Sequence, residues 1–498
     1  MNKKTRKRIR KVIIILCWLI VWQIAAVWTN NHILLVGPAR VLQVLVHNMM
    51  QPDFLRIVLY SFLRIGLGFF LALCVGLALG AVGYCFPITE EAAAPVIATL
   101  KSIPVASFVV LLLIWFGSAK LSFFISFLIV FPNVYVNTIA GIKSADEKLL
   151  EMADVFDMSR MSRFLYIYRP ALMPYLSSCL KISLGMSWKS GVAAEVIGLP
   201  DYSLGERLYM SKIYLDTAGL FAWTLMIVLI SFLFEKLVLM LVKAFEEWKP
   251  YPMPAQTDAA FTKGAAFAKN IRNRKSSIQQ ETDGIFISHI SKSFGGMPIL
   301  QDFGIEMERG QRYLLMAPSG SGKTTLLRIL TGLERADGGE IAGIPAYVGM
   351  VFQEDRLCEE YDAICNIMIG MGKRKRGGFG AENAINGMSK AQIAEYVRKE
   401  AGKILPEDCL TKPVKELSGG MRRRVSMLRA VLSAADLLIM DEPFTGLDEE
   451  NRARSAAYLL DHLEGRTLLV TTHREDDVEL LKGMKVTLVF SESLCYNA

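Results

Sequence analysis

Long uncharged apolar runs fill residues 12–245 and then stop. This partition constrains the fold more than any other feature, because a helix needs about 20 predominantly apolar residues to cross the hydrocarbon of a bilayer. Six segments approach that length, near 12–29, 57–84, 95–116, 121–141, 176–198 and 218–243. Residues 246–498 read like an ordinary soluble protein. The chain is therefore expected to be an all-α six-helix transmembrane part over 1–245, followed by a soluble part. An apolar share of 52% over 498 residues fits that division and is high for a wholly soluble chain.

A net charge of +8 in a soluble protein would suggest nucleic acid. Here Lys and Arg cluster at Lys3–Lys11 and in short loops between apolar runs, where anionic lipid headgroups explain them better, so membrane lipid and no nucleic acid is expected. The basic N-terminus should stay in the cytoplasm, and six crossings return the chain there just before Lys249. The same count places 142–175 inside, with Lys143, Lys148, Arg160, Arg163 and Arg169. The first run, Ile13–Val27, is followed by Trp28 and then TNN without a small-residue cleavage site, so it reads as an uncleaved span. The eight cysteines form no CxxC pair and read as reduced thiols. An ionisable group near the bilayer centre costs on the order of 3 kcal/mol, which singles out Lys181, Lys189, Glu195 and Arg64. Lys181 and Glu195 read as snorkelling to the cytoplasmic and outer faces. That leaves Lys189 without an explanation, and Arg64 raises the same question; whether either faces a cavity or a partner stays open.

In the soluble part, LLMAPSGSGKTTLLRIL (Leu314–Leu330) reads as strand, Gly-rich loop and helix. Phosphates need converging backbone N–H groups and a cation, which the run Ser319, Gly320, Ser321, Gly322, Lys323, Thr324 and Thr325 supplies. Lys323 would reach the β and γ phosphates of a nucleotide, and Thr324 would offer its hydroxyl to Mg²⁺; this loop alone leaves many nucleotide-binding families open, from kinases to GTPases. Ala317 stands where a first glycine is usual, and would strain the turn if that position needs positive φ. LLIMDEP (Leu437–Pro443) is a buried strand ending in two carboxylates, with Asp441 placed to hold Mg²⁺ and Glu442 to polarise an attacking water.

ELSGGMRRRV (Glu416–Val425), with Ser418, Gly419 and Gly420 at a helix start, resembles the signature motif of ABC ATPases, Met421 replacing the usual Gln. The resemblance implies further roles. Asp448 in TGLD matches the D-loop, His473 the switch histidine, Gln353 the Q-loop that senses nucleotide through Mg²⁺ or water, and Phe294 an adenine-stacking aromatic. The loop from Glu151 to Leu176 resembles the EAA loop of bacterial ABC importers, which couples permease to ATPase. Glu151, Ala153, Ile167 and Pro170 match, while Met152, Asp157 and Arg169 depart from the pattern; an Asp at 157 still tolerates a left-handed turn. Cys179–Leu208 resembles permeases of the nitrate, sulfonate and taurine importers.

The implied fold is an all-α six-helix transmembrane permease followed by an α/β P-loop ABC ATPase domain with a helical lobe. The expected division is a permease over 1–245 with a coupling loop at 143–175, a linker over 246–284, and an ATP-binding domain over 285–498. Gly370–Gly380, GMGKRKRGGFG, reads as a surface loop, with contact to anionic lipid as the other reading. The resemblance implies ATP-driven import of a small solute across a bacterial cytoplasmic membrane. The implied partners are an extracytoplasmic solute-binding protein and a second copy or paralogous half-transporter. An exporter and a mechanotransmitting membrane ATPase are the alternatives.

Overall fold

The structure is a computed structural model that describes residues 3–29, 31, 33–249, 284–318, 320–371 and 388–487. Most of the expected linker, nearly all of the basic loop at 370–380, and Ser319 lie outside the described residues. The chain divides into two compact units: Met1–Ser144 with Ala171–Trp248, and Ala145–Pro170 with Lys249–Ala498.

The first unit is helical: α1 (Lys3–Thr29), α2 (Pro38–Met49), α3 (Phe54–Cys85), α4 (Pro87–Ser102), α5 (Val105–Phe116) and α6 (Ser118–Lys143). The second unit's segment contributes α7 (Glu147–Val155) and α8 (Arg160–Arg163). Then follow α9 (Arg169–Gly198), α10 (Leu204–Ile213) and α11 (Thr217–Glu247). Among the described residues α3, α6 and α11 are long and apolar enough to cross a membrane. The segment expected at 95–116 is instead two helices, α4 and α5, bent by 102°. Ile103 precedes Pro104, whose ring disfavours the helical region for the residue before it, and Ile103 is extended at φ −71, ψ 130. The apolar part of α1, Ile13–Thr29, is shorter, and α9 is more polar than the three long spans.

Close packing without a hydrophobic driving force needs small residues where helices cross. Gly68, Ala72, Gly76 and Gly80 recur every four residues along α3 and are buried. A methyl group on Gly76 would stand 2.8 Å from Val134, and one on Gly80 2.7 Å from Thr138, both on α6. Phe69, Trp188 and Phe234 from α3, α9 and α11 interlock edge to face beside this seam.

Glu195 does not snorkel. It is fully buried, its Oε2 accepting from Ser61 Oγ at 2.8 Å and from the Gly205 N–H at 3.2 Å. Leu204 N–H donates to the same Ser61 hydroxyl at 2.9 Å. The N-terminus of α10 presents orphan N–H groups, and a buried carboxyl satisfies them where open water would otherwise be needed. Arg64 donates from both terminal nitrogens to the Asp201 carbonyl at 3.4 Å and lies 5.5 Å from the Tyr60 ring. Lys181 and Lys189 are exposed.

In the second unit an antiparallel sheet has the order β2 (Met297–Glu308), β1 (Gly284–Phe294), β4 (Gly338–Ala342). A parallel sheet has the order β5 (Val348–Val351), β6 (Leu437–Asp441), β7 (Thr467–Thr472), β3 (Arg312–Met316), β8 (Met484–Thr487). β6 and β7 are buried along their whole length, the reason LLIM, ahead of Asp441, and TLLVTT read as continuous apolar or hydroxyl runs rather than alternating ones. The helices Ala363–Gly370, Lys390–Ala401 and Gly419–Val431 lie between β5 and β6 in sequence.

Candidate functional site

Ligands of a parallel α/β sheet bind beyond the carboxyl ends of its strands. The sequence-derived candidates gather there: the Gly-rich loop follows β3 at Met316, Gln353 follows β5, Asp441 ends β6 with Glu442 next, and His473 follows β7. Gly320 and Gly322 both sit at φ +80, the left-handed region that only glycine enters without cost. At Gly322 a side chain would also meet the Ile299 carbonyl at 3.0 Å. Ala317 is not among the residues with positive φ, so its methyl does not strain the turn.

Lys323, 8% exposed at the first turn of the helix Lys323–Leu330, donates to the carbonyls of Ala317 and Pro318 at 2.5 and 2.9 Å. Thr324 Oγ1 donates to Asp441 Oδ2 at 2.9 Å, and Thr471 Oγ1 donates to Asp441 Oδ1 at 2.5 Å. The Ser321 hydroxyl is buried, and Thr325 lies half-buried on the same helix. Glu442 adopts φ +47, uncommon for a non-glycine residue, and its N–H is held by the Thr471 carbonyl and hydroxyl, each at 3.1 Å. His473 Nδ1 stands 3.6 Å from Glu442 Oε1. The arrangement places a cation, two hard oxygens, a carboxylate and an imidazole along the carboxyl edge of the sheet, at the ends of β3, β6 and β7.

Other candidates stand apart. Ser418 caps its own helix, Oγ accepting from the Met421 N–H at 3.4 Å, with Gly419 open and Gly420 close to Leu447 and the Gly446 carbonyl. Asp448 caps the helix Glu449–Asp461, accepting from the Asn451 N–H at 2.8 Å and its side chain at 2.9 Å; these bonds hold its carboxyl below the ordinary range. Phe294 is 47% exposed at the end of β1, with Lys292 Nζ 5.0 Å from its ring.

The segment Ala145–Pro170 packs within the second unit. α7 ends in a Schellman turn: Met158 N–H donates to the Ala153 carbonyl at 2.9 Å, Asp157 N–H to the Asp154 carbonyl at 3.3 Å, and Asp157 sits at φ +50. Short α8 and a π-helical turn, Phe164–Tyr168, follow. Glu151 accepts from Arg328 at 2.9 and 2.7 Å and from Arg356 at 2.6 Å. The hydrogen bond from Arg328, chiefly, holds the Glu151 carboxyl below its usual range against the opposing effect of burial. Lys148 pairs with Glu354 at 2.7 Å. Met152, Ala153 and Ile167 are buried, the Met that departs from the EAA pattern among them.

Arg169, only 3% exposed, donates to Tyr361 Oη at 2.8 Å, and that hydroxyl donates to the Leu165 carbonyl at 2.8 Å. Burial pushes the Tyr361 phenol up to about 12. Pro170, which lacks an N–H, falls in the first turn of α9, where none is required. Arg328, Arg356 and Tyr361 were not singled out by the sequence; an isolated Arg or Tyr in a helical or loop segment carries no signal of the acid or carbonyl it will meet.

The chain matches the family described as "ABC transporter" over residues 300–445, and the family described as "Binding-protein-dependent transport system inner membrane component" over 57–247. The aliphatic sulfonates import ATP-binding protein of Nocardia farcinica is 32% identical over 42% of this chain and 80% of its own length. A counterpart from Rhodococcus jostii is 32% identical over 39% of this chain and 66% of its own. The Nod factor export ATP-binding protein of Cupriavidus metallidurans is 37% identical over 39% and 64% respectively. The chain spans 66%, 58% and 59% of the length of the curated relatives it matches first.

Proposed function

Because the chain belongs to the ABC transporter family, an inner-membrane transport component preceding an ATP-binding cassette, we propose that it hydrolyses ATP to import a small solute. The observation that carries the coupling is the seat of Glu147–Tyr168 on the cassette, where Glu151 bridges Arg328 of the helix after the phosphate loop and Arg356 beyond Gln353. A loop gripped at both places feels changes at the phosphate loop and at Gln353 together.

In this reading Gly320, Gly322 and Lys323 take the phosphates, and Glu442 orients and polarises the water that attacks the γ-phosphorus. Gln353 and His473 sense the nucleotide, and Phe294 stacks on adenine. The Thr324 hydroxyl and Asp441 carboxylate are hard oxygens that would hold Mg²⁺, which when bound neutralises phosphate charge. Ser418, Gly419 and Gly420, at a helix N-terminus, present N–H groups suited to the phosphates of a partner copy. Two copies then make two composite sites and one pathway, with a paralogous partner as the other assembly.

Relatives of the cassette are named for both import and export, so the cassette does not set direction. Import is supported by the binding-protein-dependent family over 57–247 and by the EAA-like loop. A sulfonate, nitrate, taurine, bicarbonate or thiamine-precursor-like solute, delivered by an external binding protein at a bacterial cytoplasmic membrane, fits this reading. Hydrolysis by the reconstituted chain is compared with Glu442→Gln, and a wild type no faster than the variant sinks it. Capture of Glu442→Gln from native membranes with cross-linked outer partners tests direction. A solute-binding protein carrying its ligand supports import, whereas an extracellular enzyme alone favours the transmitter.

A further inference from the structure

The helix Gly419–Val431 carries three consecutive arginines, and the middle one does something no motif describes. Arg423 is 4% exposed. Its Nη1 donates to the carbonyl of Phe352 at 2.5 Å and that of Gln353 at 3.2 Å, and lies 3.4 Å from Asp355 Oδ1. Its Nη2 donates to the carbonyls of Asp441 at 2.5 Å and Glu442 at 2.7 Å, and its Nε to that of Pro443 at 3.3 Å. Two short segments, 352–353 and 441–443, are thus fastened by one planar fork, a geometry Arg offers and Lys does not.

The need for such a fastener follows from the sheet. β5 and β6 pair in parallel only as far as Val351 with Met440. Beyond that point the chains carrying Gln353 and Glu442 leave the ladder, and their carbonyls require donors that strand pairing no longer supplies. Glu442 is the more demanding of the two. Its φ of +47 persists only where contacts on both sides hold it: Thr471 grips its N–H and Arg423 its carbonyl. The same helix continues the hold, since Arg429, fully buried, donates to the carbonyls of Arg356 at 2.7 Å and Asp355 at 3.1 Å.

We propose that Arg423 is a positioning residue for ATP hydrolysis, fixing the main chain of Glu442 to the Gln353 segment so that a displacement of one is carried to the other. The proposal rests on the ATPase reading above. Among the described residues Arg423 makes no bond to the phosphate loop itself and holds the main chain on either side of the carboxylate that meets the attacking water, so turnover should fall further than nucleotide binding.

The test uses the full chain in proteoliposomes: wild type, R423Q, R423K and E442Q, with kcat and KM for ATP. Equilibrium binding of a fluorescent ATP analogue is read in the E442Q background with and without R423Q, and thermal midpoints are read alongside. R423Q is expected to lower kcat about 100-fold, the scale of a 1 Å misplacement, with nucleotide affinity within about threefold of wild type. R423K, which keeps the charge and some donors but not the fork, is expected to recover about tenfold of that loss. A kcat for R423Q within threefold of wild type overturns the proposal, as does a loss of affinity that matches the loss of kcat. If R423Q does not fold, R423K alone decides by the same split. A wild type no faster than E442Q sinks both this proposal and the ATPase reading, whereas a fast wild type beside a fast R423Q sinks the positioning role only.

Discussion

Replacing Glu151 by Gln keeps the shape of the side chain and removes its charge, which isolates what the carboxylate contributes to seating α7. Three charge-assisted bonds of 2.6–2.9 Å converge on it. An exposed ion pair is worth about 0–1 kcal/mol, and breaking a buried one costs about 3–5 kcal/mol. Glu151 is 29% exposed and its partner Arg356 12%, so solvent screens part of the attraction and an intermediate loss of about 2 kcal/mol is expected. At about 1.4 kcal/mol per decade this is roughly a 30-fold rise in the opening equilibrium of the segment. Native-state hydrogen exchange reads it directly: protection of amides in 150–155 should fall about 30-fold in Glu151→Gln, while β6 keeps its protection. The pH dependence has a fixed sign. A carboxyl held below its unfolded value contributes stability that is present above that value and lost as pH falls through the lowered one. Wild-type protection, corrected for intrinsic rates, should stay level from pH 7 to about 5 and decline only in the acid range below the ordinary carboxylate value of about 4.3. Glu151→Gln should show no such decline from this site. A change in protection under threefold, or equal losses in β6, would refute the reasoning.

Three further outcomes follow from the same geometry. Ala317→Gly should leave binding of a fluorescent ATP analogue within twofold, because Ala317 is not at positive φ, whereas Gly322→Ala, forced to φ +80 against the Ile299 carbonyl, should weaken it at least tenfold. Glu195→Leu strands the Ser61 hydroxyl and the Gly205 N–H and should cost about 2–3 kcal/mol, read as faster exchange of the first amides of α10; Glu195→Gln keeps an acceptor and should cost less. Tyr361→Phe removes the hydroxyl between Arg169 and the Leu165 carbonyl and should cost about 2 kcal/mol, read as exchange over 165–169 with the Gly419–Val431 helix unchanged.

What the sequence made legible is what repeats or what chemistry demands in fixed order. Strand, Gly-rich loop and helix at Leu314–Leu330 could be placed because phosphate binding allows few alternatives, and the turn at Asp157 because the EAA-like loop implies one there and Asp tolerates a left-handed conformation. The break at Ile103–Pro104 is equally written in the residue before a proline, but the apolar run around it has the length and composition of a continuous span. The π-helical turn Phe164–Tyr168 has no such local mark. It depends on what Tyr166 and Ile167 pack against, which periodicity does not record.

Glu195 and Arg423 show why charged residues were the hardest to place. Cost arguments treat a charge in a span as seeking water and a charge in a soluble helix as seeking solvent, because both assume that the partner is water or an opposite charge. Here most of the partners are main-chain groups left over where regular structure ends: for Glu195 the Gly205 N–H directly and the Leu204 N–H through the Ser61 hydroxyl, and for Arg423 the carbonyls past the ends of β5 and β6, with Asp355 beside them. Those orphan groups exist only once the elements have been assembled, so no window of sequence contains them. A buried ionisable side chain that gathers several backbone groups therefore marks the edge of an element, and in this chain one such edge is where Gln353 and Glu442 stand.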